Sequence, residues 1–323
     1  MHPPLARAAW RSRGAVVLAL TLVLAALLPL ALWVTGALPR PEETARQRSV
    51  AALHQARAAL IARAIKGRRD DFSSAPLYRP GALPCPDVDD DGGADGSHCV
   101  NYVGRLPFKT LEIDDLRDGS GERLWYVLSP NFRPALFPTP ATLAQLRLRS
   151  DERHFAALLI AAGPVIGAQS RGCEATTHPA GCARLQVTQF LEGLNAHTLD
   201  SPMPPNTQLV FEGRAGSGRT EAAFNDLVLG LTPSQFMPQV QQRVAREALG
   251  CLRALGVTTD TGDVWLEMPS ATAWALTESL CRGIAPYEYF EAWRGELHYQ
   301  HHQRLRVRAG DVIQCEGMGG ASC

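Results

Sequence analysis

From Gly14 to Pro39 the chain carries no charged side chain. The run between Arg13 and Arg40, AVVLALTLVLAALLPLALWVTGALP, exceeds the roughly 20 apolar residues a helix needs to cross a bilayer. A single Arg or Asp at the centre of such a span would cost about 2.5–3.5 kcal/mol on an insertion scale. The pattern therefore predicts a transmembrane helix over 15–38. Arg7, Arg11 and Arg13 precede it as a basic leader over 1–14. Such a cluster stays on the cytoplasmic side, which places residues beyond 39 outside the cytoplasm.

The chain beyond the span is long enough for one large or two modest domains. Apolar residues make up 46% and charged residues 20%, which suits a packed core and excludes a disordered tail. Lys and Arg number 32, as do Asp and Glu, so net charge gives no reason to expect a nucleic-acid partner. All eight cysteines, Cys85, Cys99, Cys173, Cys182, Cys251, Cys281, Cys315 and Cys323, lie beyond the apolar run. An even set on the exported side fits disulfides in an oxidising compartment. Loop-closure entropy favours the local pairing 85–99, 173–182, 251–281 and 315–323. Zinc is the rival reading, but no pair has CxxC spacing.

After Pro41 an amphipathic helix is predicted to end near Gly67. Val50, Leu53, Ala56, Leu60 and Ala64, with Ile61 beside them, form a modest apolar stripe suited to lying on a sheet. Proline, glycine and aspartate from Asp70 to Asn101 read as loop. A tight turn at Asp118–Gly121 feeds a strand over Arg123–Ser129. HFAALLIAAG, LQVTQFLEG and TQLVFEG are further strand candidates. Thr232 and Pro233 open a second helix, with Pro238 a candidate kink, and a third helix is placed around Ala271–Cys281. Long helix followed by short strands is the α+β pattern.

Four segments carry candidate chemistry. Asp87, Asp89 and Asp91 followed by Gly92 form D-x-D-x-D-G, the start of a calcium loop, in which alternate carboxylates project to one side of a turn. His98 stands where an EF-hand needs its bidentate glutamate, so Asp95 or a loop carbonyl would have to complete a different oxygen cage for Ca2+. The alternative is a solvated acidic loop clamped by Cys85 and Cys99. GRAGSGRT at 213–220 approaches a phosphate loop, but Arg219 replaces the lysine, and a flexible glycine loop explains it better. His298 and His302 would share a helical face yet lack a carboxylate or thiol partner at fitting spacing. Tyr287, Tyr289, Phe290 and Trp293 suit a binding patch or plain packing. No nucleophile–base pair emerges, so the chain is not read as an enzyme.

A basic leader ending in glycine, an apolar helix, an amphipathic helix and a small sheet together resemble the type IV pilin and type II secretion pseudopilin superfamily. The strings LPCPDVDDDG, VGRLPFKTL, DLRDGSGERLWYVLS, AAGPVIGAQSRG, QFLEGLNA and FNDLVLGLTPSQFMPQVQQRVARE look like a prepilin-like branch of it. DGSGERLWY is similar to the D-x-W-G-x-x-x-x-Y turn of pseudopilins, with Ser120 where tryptophan is usual. The resemblance implies cleavage between Gly14 and Ala15 by a prepilin peptidase. It also implies a pilin-like periplasmic domain over 39–232, continued by a C-terminal helical extension over 233–323. The implied role is a minor pilin or pseudopilin that assembles or primes a pilus or pseudopilus. Its partners would be other pilins or pseudopilins and the inner-membrane assembly platform. The first and fifth mature positions, usually phenylalanine and glutamate, are Ala15 and Ala19, a departure that tip-associated minor pilins tolerate. The alternatives are a single-pass, membrane-anchored periplasmic binding or enzymatic domain, and a secreted protein cut near Ala37.

Overall fold

The structure is a computed structural model that describes residues 9–34, 41–66, 79–171, 187–196, 208–213, 224–244, 293, 297–300, 304–307 and 312–313. Two helices come first, α1 (Ala9–Val34) and α2 (Pro41–Lys66). The Gly14–Ala15 junction falls inside α1. The side chains described along α1, residues 15–27, are all exposed, with Val16, Leu18 and Leu22 each more than 60% accessible. Among the described residues no helix is long and apolar enough to cross a membrane.

The chain divides into two units, Met1–Arg48 and Ser49–Cys323. In the second, the remainder of α2 packs against an antiparallel sheet, which gives the α+β class expected. Ser49, Ala52, Leu53, Ala56, Leu60 and Ala64 form the buried stripe. Val50, assigned to that stripe from its spacing, is 39% exposed instead, because Ser49 and Ala52 sit closer to the centre of the face. Ala56, Leu60 and Ala64 are fully buried, so the stripe enters the core rather than resting on its margin. Alanines at successive turns let the helix backbone approach the sheet closely.

The main sheet has the order β1 (Val103–Arg105), β2 (Trp125–Leu128), β5 (Ala157–Ala161), β7 (Leu227–Leu231), every pair antiparallel. Between them the chain forms the short helix α3 (Phe108–Leu111), then β3 (Leu146–Leu148), β4 (Asp151–Phe155) and, after β5, β6 (Leu209–Phe211). β3 pairs antiparallel with β4 and parallel with β6 in a second sheet. All nine residues of β2 and β5 are buried, which explains runs such as WYVL and ALLIA without polar alternation. Neighbouring residues point to opposite faces. Trp125 stacks on Phe190 with centroids 5.5 Å apart, and Tyr126 donates its hydroxyl to the Pro84 carbonyl at 3.0 Å.

Asp118 ties three parts of this unit together. Its Oδ1 accepts from Ser120 N and Glu122 N, forming the tight turn, and its Oδ2 accepts from Gly163 N at the end of β5. Gly119 N donates to Ser49 Oγ on α2 at 2.9 Å. The DGSGE turn is thus the clasp between helix and sheet.

Two sequence expectations are corrected. LQVTQFLEG is not a strand: Val187–Gln189 and Gly193–Ala196 are turns of 3-10 helix. Val187, Phe190 and Leu191 are its buried residues, and their three- and four-residue spacing is helical rather than alternate. The C-terminal extension is not wholly helical. A 3-10 turn (Pro233–Gln235) follows Thr232, and a helix occupies 237–244. Gln235 Oε1 accepts from Thr232 N at 2.9 Å, and Pro238 lies in the helix's first turn, where its missing N–H costs nothing. Beyond these, β8 (Leu297–Gln300), β9 (Arg304–Val307) and β10 (Val312–Ile313) make an antiparallel sheet in the order β10-β9-β8. The helix expected at Ala271–Cys281 lies outside the described residues.

Candidate metal centre

The loop from Leu83 to Asn101 is anchored at several points. Leu83 N donates to the Phe132 carbonyl at 2.8 Å, and Cys85 and Cys99 form the expected disulfide, with Cα atoms 5.2 Å apart. Closing a loop of this length contributes roughly 3 kcal/mol in the chain-entropy model. Asp87 forms an antiparallel bridge with Arg105 at the end of β1, with N···O distances of 3.0 and 2.7 Å. That bridge requires Gly104. A Cβ there would lie 2.5 Å from the Asp87 carbonyl oxygen.

Asp87, Asp89 and Asp95 each bring a carboxylate oxygen within 4.8 Å of the others. Asp91, counted with them on alternate spacing, turns its Oδ1 to Gly93 N at 2.5 Å instead. The reason is a reversal at Asp90, whose φ of 58° breaks the alternation. Gly92 completes the bend at φ 88°, and a Cβ on it would collide with the Phe108 ring at 2.4 Å. Only glycine meets both conditions.

Asp87 sets the electrostatics. It is 1% exposed; its Oδ2 accepts from Gly92 N at 2.7 Å, and among the described residues its Oδ1 has no hydrogen-bond partner. Burial pushes its pKa up to about 7, the Gly92 N–H opposes this, and the charges of Asp90, Asp91 and Asp89 add to it. Burial likewise raises Asp95, against the hydrogen bond its Oδ2 accepts from Val88 N. Protein cations serve the rim. Arg123 binds Asp90 at 2.9 Å and Asp115 at 3.0 Å, and Lys109 Nζ donates to the Asp91 carbonyl.

The donor set fits a hard divalent cation. Oxygens bound to one Ca2+ at about 2.3–2.6 Å lie at most about 5 Å apart, and 4.8 Å falls within that limit. An orphaned buried carboxylate oxygen among like charges gains most from such an ion. Asp87, Asp89 and Asp95 would hold it, and carbonyls or water would complete the roughly six to eight ligands Ca2+ takes.

The other candidate residues do not join this loop. Cys173, Cys182, Cys251, Cys281, Cys315 and Cys323 lie outside the described residues, as do 214–220, His301, His302, Tyr287, Tyr289 and Phe290. His298 is on strand β8, so the helical face it was to share with His302 does not form there. Trp293 is fully buried and presents no binding patch. Sequence spacing missed the supporting roles of Gly104, Thr110, whose hydroxyl accepts from Ala94 N, and Arg123. The strings VGRLPFKTL and DLRDGSGERLWYVLS held them without any periodic signal. No protein-family model matches the chain, and no match is found among curated proteins or solved structures.

Proposed function

We propose that the chain is a pilin-like subunit of the minor pilin or pseudopilin kind, whose head binds Ca2+ in the disulfide-closed loop. The observation that carries this reading is a long helix whose small-residue stripe packs on an antiparallel sheet, preceded in sequence by a helix that carries no charge from Gly14 to its end at Val34. The clasp of the DGSGE turn on α2 supports it, because the turn that resembles the pseudopilin one is also the turn that joins helix to sheet.

In this reading the segment 15–38 sits in the bacterial inner membrane with its basic leader in the cytoplasm, and the head faces the periplasm. Lipid contacts of the exposed α1 side chains are exchanged for contacts with neighbouring subunits when the protein leaves the bilayer. The partners are other pilins or pseudopilins, the prepilin peptidase that cuts after Gly14, and the inner-membrane assembly platform. Ala19 lacks the carboxylate that would pair with a neighbour's terminal amine, which favours a place at a tip over one along a shaft. Ca2+ would stiffen the head loop rather than take part in chemistry.

A photo-cross-linking residue placed at Leu20 tests the reading in intact cells. Adducts with other pilin-like subunits are expected. Capture of lipid alone, at every stage of assembly, would leave the simple anchor as the better account.

A further inference from the structure

Segment 187–196 is joined to the end of the main sheet by two carboxyl groups, each accepting a backbone N–H from the other's segment. Glu192 N donates to Asp226 Oδ2 at 3.2 Å, and Asn225 N donates to Glu192 Oε2 at 3.1 Å. Asn195 Nδ2 adds a bond to Asp226 Oδ2 at 3.0 Å, and Gln169 Nε2 donates to Glu192 Oε1 at 2.5 Å. Asp226 is 1% exposed, and its Oδ1 has no hydrogen-bond partner.

Among the described residues, no salt bridge reaches either carboxyl, and Arg171 pairs with Glu122 at 3.8 Å instead. Arg171 directs its guanidinium to the carbonyls of Gly163, Gln189 and Phe190 and to Gln169 Oε1. Glu212, whose N–H goes to Asn195 Oδ1, pairs its own carboxylate with Arg149 at 2.8 Å. Asp118 accepts from Gly163 N. The charge that acts on Asp226 is Glu192, of the same sign. Burial first, and then Glu192, hold the Asp226 carboxyl well above the usual carboxylate range. A carboxylate beside a buried carboxyl adds to the cost of ionising it.

We propose that the buried Asp226 carboxyl keeps its proton beside Glu192, and that this proton fastens segment 187–196 to the sheet, so that the segment loosens as pH rises. The sign is set by linkage. A carboxyl protonated more readily in the folded state contributes stability in acid that is lost as pH climbs through its raised value. Release would uncover Phe190, which lies between the guanidinium groups of Arg105 and Arg171, at 4.4 and 5.2 Å from its ring centre. The device is independent of the pilin reading and of the metal loop.

Hydrogen exchange of the full-length chain in detergent micelles, from about pH 5 to about pH 9, tests it once intrinsic rates are divided out. The opening equilibrium of peptides over 187–196 is expected to rise by up to about tenfold per pH unit from the ordinary carboxylate range to the raised midpoint of Asp226, the slope for one linked proton, and to level off above it. Peptides from β2 and β5 are expected to stay constant. Asp226→Asn keeps an acceptor and offers Glu192 an N–H, so its 187–196 peptides are expected to show no slope. Should that variant not fold, Glu192→Gln is expected to move the pH at which the rise levels off to a lower value. A wild-type segment with no pH slope, a slope shared with β2 and β5, or a levelling-off unmoved by Glu192→Gln would each overturn the proposal.

Discussion

At the residue scale, Asp87 carries the case for a metal. Its buried, half-partnered carboxyl is protonated in the metal-free head up to about pH 7. The folded pKa lies above the ordinary 3.8, so stability is greatest below that value and declines as pH rises towards 7. Calcium binding runs the other way, strengthening across the same window because the ion displaces that proton. Asp87→Asn is expected to flatten both slopes, leaving the part of the stability slope that Asp95 and Asp226 contribute. At about a hundred times the dissociation constant, Ca2+ should stabilise the wild-type head by about 2.7 kcal/mol and the variant by nothing measurable. Thermal melts with and without Ca2+ at several pH values check this. An Asp87→Asn protein that still gains Tm from Ca2+ would remove Asp87 from the site. The aspartates were legible in the sequence, but the turning away of Asp91 was not. It depends on the left-handed turn at Asp90, which spacing does not reveal.

At the scale of elements, α2 and the disulfide loop hold the head together. Leu60 is fully buried in the stripe, so Leu60→Ala is expected to cost about 2–5 kcal/mol, read from denaturant unfolding. A loss well under that range would mean that α2 does not pack as described. Replacing Cys85 and Cys99 together by serine is expected to cost roughly 3 kcal/mol and to weaken Ca2+ binding, because Asp87, Asp89 and Asp95 all lie inside the closed loop. Unchanged Ca2+ affinity would show that the bridge to Arg105 alone orders the carboxylates. Helix α2, the turn at Asp118 and strands β2, β5 and β6 follow from periodicity and turn residues. The 3-10 segment at 187–196 does not. Val187 and Phe190 favour a strand by type, while reciprocal carboxyl caps and Gly193, at φ 52°, fix the turns. Strands β8 to β10 were equally hidden: L-H-Y-Q and R-L-R-V do alternate, but runs of four residues or fewer are too short to stand out from loop.

At the scale of the whole molecule, the uncharged run from Gly14 to Pro39 decides how the head is used. A helix there with every described side chain exposed needs an apolar environment, whether lipid or neighbouring helices. In the proposed reading the folded part is what is displayed and the leader is what delivers it, and the Gly14–Ala15 bond is where the two are separated. The most direct test is the mass of the amino-terminal peptide of the mature protein isolated from its own membranes. A peptide beginning at Ala15, with or without an N-methyl group, is the expected result. A peptide that begins near Leu38, or one that keeps the leader intact, would contradict the account.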